Sequence, residues 1–62
     1  MYIINTKGEI FNTECIQQIT TDGVHVFAVF SNNTPRTISY NPETIKTIAN
    51  ALRDGLNYVE VD

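Results

Sequence analysis

The residues of this sequence best suited to nucleophilic chemistry are Cys15 and His25, its one cysteine and one histidine. An imidazole beside a thiol favours the thiolate that attacks an electrophile. Whether the two meet depends on the turn between them. Asp22-Gly23 sits between the strand-like runs "CIQQIT" and "VHVFAVF" and predicts a two-residue hairpin loop, since both positions tolerate left-handed φ. In the register that follows, Ile19 faces Val26, Gln17 faces Ala28 and Cys15 faces Phe30. On the opposite side Thr20 faces His25, Gln18 faces Phe27 and Ile16 faces Val29. Because side chains alternate between faces, this register separates Cys15 from His25, and the plainer reading is a half-buried thiol and a strand histidine.

Other chemistry is weaker still. Glu60 and Asp62 share a strand parity and could be paired for acid–base work. With Asp54 they read more simply as an acidic edge, one that discourages strand-to-strand aggregation and could attract a basic groove. Tyr2, Tyr40 and Tyr58 could wall a small ligand or anchor a protein partner, or they could line a sheet edge with their hydroxyls in water. There is no glycine-rich phosphate loop, zinc-ligand spacing or Ser-His-Asp set. No cofactor is expected, and the sequence reads as that of a non-enzyme.

The elements that must position these residues can be read along the chain. Tyr2–Asn5 is a short strand, and "TKGE" (Thr6–Glu9) is a turn in which Gly8 supplies positive φ. Ile10–Ile19 reads as one longer strand, with the polar "NTE" in its middle marking a β-bulge or a short break. After "SNNTP" a fourth strand covers Arg36–Tyr40. Asn41-Pro42-Glu43 then opens a helix: Asn41 caps free N–H groups, Pro42 gives up no needed donor, and Glu43 suits the positive end of the dipole. Ile45, Ile48, Ala49 and Leu52 are placed inward by their spacing, and Lys46, Thr47, Asn50 and Arg53 outward. Gly55 stops the helix, and Leu56–Val61 is a last strand, with Leu56 and Tyr58 alternating against Val59 and Val61. The expected fold is a single α+β domain over residues 1–62: a small, mostly antiparallel sheet of four to five strands with one α-helix, in the order β-β-β-β-α-β.

Composition limits what such a domain can be. At 62 residues it buries only about 60% of the surface its unfolded chain exposes, so it needs outside support. One cysteine cannot form an internal disulfide, and one Cys with one His cannot complete a structural zinc site, which leaves oligomerisation. The net charge of −3, with Lys7, Arg36, Lys46 and Arg53 scattered, argues against direct nucleic-acid binding. Charged residues are only 18%, below the usual quarter, so little charge opposes close contact with another protein. "MYIINTKGEIF" shows neither a signal peptide nor a membrane span. A lone free thiol suits a reducing compartment, so the expected location is the cytoplasm. "NNT" (Asn32–Thr34) matches a glycosylation sequon and is read as chance.

One geometric mismatch directs the functional expectation. "VHVFAVF" is apolar on both faces, yet a helix of about 13 residues is roughly 20 Å long and about 10 Å wide. A five-stranded sheet is nearer 24 Å across at about 4.8 Å per strand. The helix is expected to cover Val24, Val26, Ala28 and Phe30 with Ile19 and Cys15. Ile16, Gln18, His25, Phe27 and Val29 are left on the other face, which either curls under the chain's own loops or meets a second copy. A homodimer through those five residues is the expected state.

Taken together, "MYIINTKGEIFN", the tight turn before "VFAVF", the "ISY" strand, the capped helix and the closing "GLNYVEVD" give a pattern that resembles small uncharacterised proteins of Gram-positive bacteria and their phages. The layout is also similar to that of very short phage proteins that block bacterial defence systems, the anti-Hachiman inhibitors among them. The likeness covers most of the length, in size and element order, and carries no functional residues with it. It implies a non-enzymatic protein that acts by binding a larger host protein. A host-encoded regulatory module would share the layout. A sponge that sequesters a nucleotide signal between subunits is the competing expectation, with only the four scattered cations or backbone donors to hold phosphates.

Overall fold

The computed structural model describes all 62 residues. Six short strands and one helix are arranged as β1 (Tyr2–Ile4), β2 (Ile10–Asn12), β3 (Ile16–Thr21), β4 (Val26–Phe30), β5 (Pro35–Ser39), α1 (Thr44–Arg53) and β6 (Tyr58–Glu60). The α+β class and the mostly antiparallel pairing match expectation; the single sheet does not. Two three-stranded sheets form instead, in the orders β2-β1-β6 and β3-β4-β5. All pairings are antiparallel except β1 with β6.

The split arises at "NTE". The side chain of Asn12 accepts a hydrogen bond from the Glu14 amide, and Thr13–Cys15 forms one 3-10 turn. Thr13 also ties back to the Met1 carbonyl through both its amide and its hydroxyl. The expected strand Ile10–Ile19 therefore breaks in two, and its halves join different sheets. This resolves the covering problem without a partner on the inner side. The inner faces of the two sheets cover each other: Ile3 and Phe11 from the first meet Val26, Ala28 and Ile38 from the second, with Ile48 of α1 and Val61 completing the core. The rings of Phe11 and Phe30 lie 5.9 Å apart across this junction.

The hairpin after β3 is not the expected two-residue turn. Asp22–His25 forms a four-residue loop because the Asp22 carboxylate accepts hydrogen bonds from the amides of Val24 and His25 at 2.9 and 2.7 Å, an Asx turn. The Thr21 hydroxyl donates to the His25 carbonyl at 2.6 Å. Val24, expected in the core, is thus lifted out and exposed. The pairing shifts by two residues, so Ile19 opposes Ala28, Thr20 opposes Phe27 and Gln18 opposes Val29. An even shift preserves the faces, and these three pairs stay on their expected sides. Ile16 does not. The register slips between Ile16 and Gln18, which pairs Ile16 with Phe30 and turns it against the core. A second bulge, between Val26 and Phe27 on the β5 side, lets the consecutive residues Ile38 and Ser39 both be buried.

The helix starts and stops largely as its sequence dictates. Asn41 Oδ1 accepts from the Glu43 amide at 3.1 Å, and the Asn41, Pro42 and Glu43 carbonyls accept from the amides three residues on. Pro42 and Glu43 thus form a tight leading turn, and α1 proper begins at Thr44. At the far end Gly55 has φ 69°. Its amide donates to the Leu52 carbonyl, and the Leu56 amide donates to the Ala51 carbonyl, the paired bonds of a Schellman stop. The buried face, however, is Thr44, Ile48 and Ala51, with Ile45 half-buried, whereas Ala49 is exposed and Leu52 is 52% exposed. The helix is rotated so that Thr44, Ile48 and Ala51 face inward, which brings the Ser39 and Thr44 hydroxyls within 2.9 Å of each other in the interior.

Candidate functional site: the two outer faces

With the inner faces occupied, the side chains free to act lie on the outer faces and in one cleft. On the outside of the second sheet, Phe27 and Val29 are half-buried, bordered by exposed Gln18 and Thr20 on β3 and exposed Pro35 on β5. His25 closes one end of this face. Its ring centroid lies 5.6 Å from that of Phe27 and 5.1 Å from that of Tyr40, edge-on to the latter. Lys7 adds its ammonium 5.3 Å from the Tyr40 ring, a cation–π arrangement. Of the five residues expected on this face, Gln18, His25, Phe27 and Val29 are there and Ile16 is not. Tyr40 joins them because β5 ends at Ser39 and frees it.

His25 is also bound to Asp22, whose Oδ2 lies 3.2 Å from His25 Nδ1. Backbone hydrogen bonds from His25 and Val24, followed by the His25 side chain, hold the Asp22 carboxyl down to a pKa of about 2, against 3.8 ordinarily. Each favours the ionised form. The loop is therefore clamped by a carboxylate that stays charged well into acid.

The outside of the first sheet carries a patch that the sequence reading did not assemble. Tyr2 opposes Tyr58 in the parallel β1–β6 register, while Ile4 opposes Ile10 on one side and Glu60 on the other. Tyr58 and Ile10 are 58% and 65% exposed. The parity of Tyr58 against Val59 was available in the sequence; the parallel partnership of β1 with β6, more than fifty residues apart, was not.

A cleft of about 420 Å³ opens where the sheets diverge, lined by Phe11, Asn12, Cys15, Phe30, Asn32 and Arg36 among others. Cys15 lies exposed in the 3-10 turn beside it. His25 occupies the loop at the other end of β3, so the two are kept apart by the length of the strand rather than by its faces. The Arg36 guanidinium lies 5.5 Å from the Phe11 ring and 2.7 Å from a Glu9 carboxylate oxygen. Lys46 and Arg53 are likewise close to acids, Glu43 at 3.6 Å and Asp54 at 3.5 Å.

The expected acidic edge is dispersed. Asp54 is beside Arg53, and Asp62 accepts a hydrogen bond from the Asn41 side-chain amide at 2.8 Å, which leaves Glu60 exposed on β6. No group of three or more His, Cys, Asp or Glu side chains is placed to hold a metal ion. No helix is long and apolar enough to cross a membrane.

One further residue was missed because it is polar. Asn5 is buried after β1. Its Oδ1 accepts from the amides of Lys7 and Glu9, and its Nδ2 donates to Glu9 Oε1 and to the Ile38 carbonyl of the other sheet. It both shapes the β1–β2 turn and joins the two sheets. No protein-family model matches the chain, and no curated protein or solved structure shows significant similarity to it.

Proposed function

We propose that the chain is a small non-enzymatic binding protein, working as a homodimer, that regulates or inhibits a larger protein. Its most concrete version is a phage-encoded inhibitor of a bacterial defence system, the version that the resemblance stated for the sequence implies. The observation that carries the reading is the outer face of the second sheet. There Phe27, Val29, His25 and Tyr40 gather aromatic and apolar area, next to polar Gln18 and the Lys7 ammonium. Apolar area rimmed by polar groups is characteristic of protein-binding surfaces. This face, expected from the sequence to pair two copies, is assigned here to the larger partner instead. Phe27→Asp is the test, since it places a charge in the middle of that surface. Capture from the native host with the parent chain and with F27D, followed by reconstitution with the purified target, should give a complex with the parent and at least about tenfold weaker binding with the variant. Equal capture of the target by both would remove this face from the interaction.

A second reading is a sponge for a nucleotide signal, for which the cleft beside Arg36 offers room within one subunit. A phosphate there would have to displace Glu9 from the guanidinium. Calorimetry with a panel of cyclic nucleotides decides it: no heat eliminates the sponge.

A further inference from the structure

The four sheet edges of this molecule differ in how they are protected. An exposed edge presents unpaired N–H and C=O groups, and proteins blunt it with proline, charge, bulges or brevity. The edge strand β5 begins with Pro35, which has no N–H to offer, and Arg36 follows it, fixed to Glu9. β3 is interrupted by the bulge at Gln17. β2 runs directly into the 3-10 turn, whose Thr13 is tied to Met1. β6 is protected only by its three-residue length and the charge of Glu60, with no proline, no bulge and no lysine or arginine. Its outward side chains, Tyr58 and Glu60, are exposed, and an open groove runs along Leu56–Glu60.

The hydrogen bonds to β1 show which backbone groups that edge offers. The Asn57 carbonyl accepts from Tyr2, and the Val61 amide donates to Ile4. In a parallel ladder alternate residues turn both their groups to one neighbour, so residues 57, 59 and 61 face β1, and Tyr58 and Glu60 face outward. We infer that a second copy of this chain pairs along this edge, β6 antiparallel to β6 about a two-fold axis at Val59, joining the two first sheets into one six-stranded sheet. The inference supplies the dimer that the proposed function assumes.

The register follows from the same observations. With Val59 on the axis, Tyr58 of each copy opposes Glu60 of the other, and the outward groups of both residues form four backbone hydrogen bonds. Val59, half-buried in one chain, meets its own counterpart on the inner side. Centring on Glu60 instead would oppose two carboxylates, which destabilises a cross-strand pair. Centring on Tyr58 would call on the Leu56 amide, which is already donated to Ala51. Only the Val59 register uses the free groups and separates the charges. It also places the two Tyr2–Tyr58 pairs on one continuous outer surface.

Sedimentation velocity of the full chain across a concentration series, with four variants, tests the pairing. Tyr58→Glu sets a carboxylate against Glu60 of the other copy, and Tyr58→Lys sets an ammonium there. The expected result is a dimer for the parent, association at least about fivefold weaker for Y58E, and association no weaker than the parent for Y58K. The gap between the two variants should narrow as salt is raised. Asn50→Glu makes a charge change on the exposed side of α1 and should leave association unchanged. A parent that stays single at millimolar concentration, Y58E and Y58K shifting alike, or N50E matching Y58E would each overturn the pairing. So would dissociation by F27D but not by Y58E. Capture of the larger partner is scored separately with F27D, so the edge pairing and the partner-binding face can fail independently.

Discussion

The two sheets share one core but are finished differently. The second, β3-β4-β5, has strands of five and six residues, bulges in both pairings and a loop clamped by Asp22. Its bulges turn Ile16 inward and let Ile38 and Ser39 be buried together. The first, β2-β1-β6, is built from three-residue strands in unbroken register and exposes Tyr2, Ile10 and Tyr58. A sheet with its irregularities built in can end as a self-contained surface. A short regular one leaves an edge that still has hydrogen bonds to give. On the function proposed above, the second sheet serves recognition of another protein and the first pairs with itself.

The largest expected effect tests whether the core is shared at all. Ile3 is fully buried in the central strand of the first sheet and belongs to the same cluster as Val26 and Ile38 of the second. Ile3→Ala should cost about 2–5 kcal/mol, a large part of the stability of a domain this small. Urea unfolding followed by fluorescence and by circular dichroism should show both signals failing together. Loss of one sheet ahead of the other would mean that the two do not form one cooperative unit. A smaller contrast lies on α1. Ile48→Ala should cost about 2–4 kcal/mol, but Leu52→Ala less than about 1 kcal/mol, since Leu52 is half in water. Equal losses would restore Leu52 to the core and undo the rotation described for the helix.

The smallest effect is confined to one loop. Asp22 binds its proton more weakly in the folded chain than in the unfolded one, so its contribution is complete above the unfolded value near 3.8 and fades as pH falls toward about 2. Between those limits the amide resonances of Val24 and His25 should move while those of the first sheet stay in place. A uniform change across both sheets would show that the clamp is not local.

Much of this was legible in the residues, for reasons that can be named. Gly8 and Gly55 were read as left-handed positions, and both have positive φ. The Asn41-Pro42 opening and the Schellman stop follow from backbone groups that a helix end must satisfy. Strand alternation placed Phe27 and Val29 opposite Ala28 correctly, even though the turn was misread, because a two-residue slip preserves parity. What failed was long-range or cooperative. "NTE" allowed a bulge or a break, and only the return of Thr13 to Met1 selects the break. The two-residue turn lost to an aspartate side chain that satisfies two amides in a longer loop. The helix buries the polar Thr44 beside Ser39 rather than Ala49 and Leu52, a choice that a hydrophobic pattern cannot register. Of the candidate face, four residues were found from alternation; Tyr40 and the first-sheet tyrosines needed the topology.

Asn5 carries a consequence for the chemical ageing of the molecule. It stands where a surface turn begins, a place that ordinarily accepts substitution, yet its nitrogen is the donor that reaches the Ile38 carbonyl. Conversion to aspartate, by mutation or by slow loss of ammonia, would set a carboxylate oxygen against that carbonyl and against Glu9. Two acceptors would then face each other where the sheets are joined. The junction of the two sheets is thereby exposed to the chemistry of one carboxamide.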